Sequence, residues 1–148
     1  MNAFRQAVAS NLNQPARLRP YLGLRMGLKV VKMIDWARVE ALRAEIGDEG
    51  FAEVVELFLD EVEEVVMRLR AARDRGRLED DLHFLKGSAW NLGFSEFGAQ
   101  CQQGERTAAN GQAETVNVAA VLDSYGRSKV AFIAGLGDPA QRSPSRAA

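Results

Sequence analysis

The sequence predicts an all-α protein, an up-down-up-down antiparallel four-helix bundle with an extra N-terminal capping helix. Three observations lead there. Apolar residues recur at intervals of three and four through most of the chain, and glycines fall between the periodic segments. No alternating run is long enough for a strand.

The first helix is expected from about Asp35, a suitable N-cap, to Gly47, a glycine stop, with Trp36, Val39, Leu42 and Ile46 at helical spacing. A second should start near Asp48 and continue to Gly76. Phe51, Val54, Val55, Phe58, Val62, Val65 and Leu69 form its apolar stripe, and Glu53, Glu56, Asp60, Glu63 and Glu64 take much of the remaining circumference. The third spans roughly Leu78 to Leu92, with Leu78, Leu82, Leu85, Ala89 and Leu92 inward and Gly93 as its stop. A fourth is expected from Ser95, read as N-cap, to about Gly111, with Phe97 and Cys101 inward. The last covers about Glu114 to Leu136 through Val118, Val121, Leu122, Tyr125, Phe132 and Leu136. Short connections force neighbouring helices to run antiparallel, and the first helix then caps one end of the other four.

Composition bounds the function classes. At 148 residues, 47% of them hydrophobic, the chain has one domain's worth of core. A single cysteine, Cys101, allows neither an intrachain disulfide nor a cysteine metal site, which fits a reducing, cytoplasmic location. It is read as a small core residue. No apolar run approaches the roughly 18 residues of a membrane span. Residues 1–32 carry six basic residues and no acid, whereas residues 33–137 hold nineteen acids against eleven bases. An acidic body argues against nucleic acid as the main partner. The basic head is read as a disordered extension. It has the charge of a membrane or nucleic-acid arm, but Met33 directly precedes the organised patterning and is the preferred start of the native protein. Residues 33–137 are then the bundle, and 138–148 a polar, disordered tail.

The chain has one histidine, His83. On a helical wheel it lies about 140° from the centre of its helix's apolar face, so it should be exposed. Alone, such a histidine is usually just a solvated side chain. Lys86 and Gly87 follow at i+3 and i+4, on the same surface. A mid-helix glycine costs about 1 kcal/mol against alanine. Here it would bare a stretch of backbone that another protein can approach. Lys86 adds a mobile cation able to reach a phosphoryl group on the ring. Glu105 and His83 each lie eleven residues from Phe94, at the turn between the third and fourth helices. Equidistant residues of a tight antiparallel hairpin face each other, so Glu105 can accept from Nδ1–H and leave Nε2 as the nucleophile. Two other readings stay open: Glu105 as a surface glutamate paired with Arg106, and Gln102 as the ring's partner. Asn91 is read as a structural hydrogen-bonding residue.

The segment His83-Phe84-Leu85-Lys86-Gly87-Ser88-Ala89-Trp90-Asn91-Leu92-Gly93 resembles the signature of histidine-containing phosphotransfer (HPt) domains, H-x-L-K-G-S-A-x-N-L-G, at all nine specified positions. The likeness extends over about residues 35–136. It implies a four-helix bundle with His83 as phosphoacceptor, Lys86 as phosphate-side cation and Gly87 as clearance residue. Glu105 stands where several members place a glutamate or glutamine that bonds the ring. Phe84 and Trp90 are assigned to partner docking, although Trp90 could equally fold over the hairpin with Phe94.

The resemblance further implies a phosphocarrier without autokinase activity, moving a phosphoryl group between receiver domains of response regulators and hybrid sensor kinases. No cofactor or metal of its own is expected, and Mg2+ belongs to the receiver. A monomer is expected, with neither nucleic acid nor membrane as partner. The alternative is a helical adaptor that binds receivers without being phosphorylated.

Overall fold

The computed structural model describes residues 32–71 and 74–137. Four helices follow one another: α1 (Trp36–Ala71), α2 (Leu78–Leu92), α3 (Ser95–Ala109) and α4 (Val118–Leu136), with a 3-10 turn at Ala113–Thr115 before α4. No strand occurs among the described residues, and the all-α bundle is the observed fold. No helix among them is long and apolar enough to cross a membrane. The basic head, up to residue 31, and the polar tail from residue 138 lie outside the described residues.

The first two expected helices are two arms of α1, which breaks at Gly47 (φ +82°, ψ 163°). No atom within 4 Å would obstruct a side chain there. Backbone conformation alone therefore asks for glycine. The chain turns on this one residue and resumes helix without an intervening loop.

The first arm covers one end of the bundle, as a capping helix should. Asp35 caps it, accepting from the Arg38 N–H at 3.2 Å through Oδ1, while its own N–H donates to the Gly93 carbonyl at 2.7 Å. Arg38 donates to the Asn91 carbonyl from Nε (2.9 Å) and to Asn91 Oδ1 from a terminal nitrogen (3.0 Å). Asn91 thus has the structural role expected of it. Trp36 stacks on Phe132 with centroids 5.9 Å apart and planes 8° off parallel. Gly135 makes room for that indole, since a Cβ there would stand 2.0 Å from Cζ2.

Phe94 is the hub of the core. It is fully buried, with ring centroids 4.9 Å from Phe58, 5.1 Å from Phe132 and 6.4 Å from Tyr125. The inward residues expected of α2 (Leu78, Leu82, Leu85, Ala89 and Leu92) and of α3 (Phe97 and Cys101) are all buried. Across the bundle, Glu63 of α1 accepts from Tyr125 Oη at 2.8 Å and from Lys129 Nζ, and Arg68 pairs with the buried Asp81 at 2.6 Å.

Several boundaries differ from expectation, each with a local cause. The second arm of α1 stops at Ala71, short of Gly76. Asp74 Oδ1 there accepts from the Gly76 N–H at 2.9 Å, and Arg75 reaches the carbonyls of Ala113 (2.9 Å) and Val116 (2.7 Å). The Asp74 bond closes a turn in place of helix, and the two Arg75 bonds tie that turn to the connection before α4. The last helix starts at Val118 instead of Glu114, because Asn117 caps it by accepting from the Ala120 N–H at 3.0 Å and Val116 is extended and buried. Ser95 is the first residue of α3, not its cap. Phe94 holds the cap position, and core packing fixes its side chain. Ile46, expected inward, is 37% exposed at the Gly47 break.

Candidate functional site

The site forms where α2 and α3 run antiparallel. Gly93, left-handed at φ +92°, reverses the chain and donates to the Ala89 carbonyl. It has no alternative to glycine, since a Cβ would also stand 2.8 Å from the Asp35 carbonyl oxygen. Gly104 lets the two helices approach. A side chain on it would meet Leu82 Cδ1 at 2.8 Å. The approach sets Glu105, the next residue, against the turn of α2 that carries His83.

His83 stands out from α2 with 64% of its side chain exposed, while Leu82 and Leu85 beside it are fully buried. Its Nδ1 lies 2.7 Å from Glu105 Oε2. An ionised carboxylate can only accept, so the proton of this bond resides on Nδ1, and in the neutral ring the lone pair is then on Nε2. The pairing expected from equal distances to the turn is therefore present. It goes to Glu105, neither to the Gln102 considered as an alternative nor into a pair with Arg106.

Lys86 does not stand free as a mobile cation. Its ammonium lies 2.7 Å from Glu105 Oε1, only 19% of its side chain is exposed, and it sits 5.9 Å from the centroid of the Trp90 ring. Glu105 thus bridges imidazole and ammonium, one oxygen to each. Burial pushes its carboxyl up, but the bonds from Lys86 and His83 and the charge of Lys86 outweigh that and hold it below the ordinary glutamate value. A depressed carboxyl contributes stability that is complete above the unfolded-state value and is lost as pH falls through the folded one. Lys86→Ala should raise the Glu105 midpoint, read as the pH dependence of its side-chain carboxyl 13C shift. An unmoved midpoint would show that the ion pair does not persist in solution.

The other residues singled out take varied positions. Gly87 is buried. A residue without a side chain lies at the level of the helix barrel, below its neighbours' tips, so the bare stretch expected beside His83 is screened in this conformation. Phe84 is partly buried and packs against the core. Trp90 folds over the hairpin, as one of its two readings had it, and lies on Gly98 of α3: a Cβ on Gly98 would stand 2.2 Å from Nε1. Cys101 is fully buried, and burial pushes its thiol far up, with Glu105 adding to the shift and Lys86 opposing it. A core role fits that state better than redox chemistry.

Sequence reasoning missed Gly98 and Gly104. Their signal was available: two glycines within one helix, on the face that also carries Cys101 at intervals of three.

The Hpt domain family model matches residues 53–129, from the second arm of α1 to the middle of α4 and just over half of the chain. No curated protein matches it.

Proposed function

Because the chain belongs to the Hpt domain family, whose role is phosphotransfer in two-component signalling, we propose that His83 takes a phosphoryl group from a receiver-domain phospho-aspartate and passes it to another receiver aspartate. One observation carries the assignment: a solvent-exposed imidazole whose Nδ1 is engaged by a carboxylate, which leaves the Nε2 lone pair for attack.

In the step proposed, Nε2 forms a bond to phosphorus as the bond from phosphorus to the aspartyl oxygen breaks, and the aspartate leaves as carboxylate. The ring keeps its proton on Nδ1 and acquires positive charge, which the Glu105 carboxylate opposes at hydrogen-bond distance. Transfer onward is the reverse step with a second aspartate. Both bonds are labile, so partner concentrations and affinities set the direction. Lys86 is the cation within reach of the transferred group, and Gly87 gives clearance to the partner's backbone once the side chains that screen it move aside. The receiver supplies Mg2+. The chain acts as a carrier without autokinase activity, as a monomer in the cytoplasm, and Phe84 contributes to the face that receives the partner.

The test is incubation of the full chain with a phosphorylated receiver. Label that is acid-labile and base-stable, and that maps to His83, is expected. If no cognate receiver gives such label, the non-phosphorylated adaptor replaces this reading. Glu105→Ala should slow transfer without abolishing it and should release the Nδ1–H tautomer, seen in the ring 15N shifts. An unaltered tautomer would remove Glu105 from the orienting role.

A further inference from the structure

Trp90 lies in a notch cut for it. Gly98, across the hairpin in α3, has no room for a methyl group: a Cβ there would stand 2.2 Å from the indole Nε1 and 2.3 Å from Cδ1. Only the missing side chain lets the ring lie down on α3. One turn back along α2, at i−4, is Lys86, and side chains at that spacing are neighbours. The lysine ammonium is a strongly hydrated charge on a flexible stem, and on an open helix face it seeks water. Here it is confined between Glu105 Oε1 at 2.7 Å and the Trp90 ring at 5.9 Å to the centroid.

We propose that Trp90, seated on Gly98, is a positioning residue that acts through Lys86: its indole backs the ammonium onto Glu105 and so steadies the carboxylate that holds the His83 ring. The chain of contacts runs from Gly98 to Trp90, Lys86, Glu105 and His83. Its importance for phosphoryl transfer rests on the function proposed above. The positioning itself exists in the unphosphorylated protein and is measured there, so either can fail without the other.

The experiment compares full-length wild type, Trp90→Leu, Trp90→Phe and Gly98→Ala. The readouts are the Glu105 carboxyl 13C titration, the 15N signal of the Lys86 ammonium and binding of an unphosphorylated receiver. Trp90→Leu removes the aromatic face and should raise the Glu105 midpoint by about half a pH unit, with faster solvent exchange at Lys86. Gly98→Ala should do the same with Trp90 still present, because the added methyl lifts the ring out of its seat. Trp90→Phe, which keeps a ring face, should stay closer to wild type. Circular dichroism identifies any variant that fails to fold, and the Trp90→Leu substitution, at a partly exposed position, keeps the test open if Gly98→Ala is one. A folded Trp90→Leu variant with an unmoved Glu105 midpoint overturns the proposal. If that variant instead weakens receiver binding, Trp90 is a docking residue and does not position Lys86.

Discussion

His83→Gln should reduce labelling by a phosphorylated receiver to background while leaving the bundle folded. Glutamine keeps an amide N–H within reach of the Glu105 carboxylate but offers no basic nitrogen to attack phosphorus. The side chain is 64% exposed and contributes nothing to the core, so the circular dichroism spectrum and thermal midpoint should stay close to wild type. Loss of label with retained structure separates chemistry from folding. Label surviving in His83→Gln would place the acceptor elsewhere, and with a single histidine in the chain it would have to be a different residue type.

The second large effect is on stability. Phe94→Ala should destabilise the protein by about 3–5 kcal/mol, lowering the thermal midpoint by on the order of 15 °C in a domain of this size. Phe94 is fully buried, and its ring meets Phe58 of α1 and both Phe132 and Tyr125 of α4. Truncation therefore opens a cavity bordered by two helices besides the hairpin, where collapse of one wall cannot fill it. Thermal or urea unfolding followed by circular dichroism reads the effect. A loss below about 1 kcal/mol would mean that the hairpin turn repacks freely, contrary to a ring held on three sides. Because the same turn sets α3 against α2, a surviving Phe94→Ala protein should also show a weakened bond between His83 and Glu105.

These two residues also show what the sequence makes legible. The face of α2 was readable because helical periodicity puts Leu78, Leu82, Leu85, Ala89 and Leu92 on one side whatever they pack against, and His83 follows on the other. Glu105 was readable because a tight antiparallel hairpin turns distance along the chain into position across it. Less legible was anything decided by side-chain torsions or by contacts from far along the chain. Lys86 is a flexible cation in sequence and a confined one in the structure, since its rotamer depends on Glu105 and Trp90 together. Arg75 is an unremarkable base until the connection before α4 comes within reach of it, and then it bonds two carbonyls there. The ends of α1 and α4 shifted for the same reason: Asp74 and Asn117 bond nearby backbone more favourably than the helix can extend. At Gly47 a stop was readable, but whether the chain then loops or bends at one residue was not.

The equal spacing of His83 and Glu105 about Phe94 makes chain length itself part of the chemistry. One residue inserted into α3 between Ser95 and Glu105 would rotate the carboxylate about 100° around its helix and carry it roughly 1.5 Å along the axis, away from the imidazole. Such an insertion leaves every side chain of the site unchanged in identity and still uncouples Glu105 from His83, with the slowed transfer expected of Glu105→Ala. Point substitutions around Glu105 should loosen its hold on the ring by degrees, whereas an insertion or deletion within this hairpin should remove that contact at a stroke.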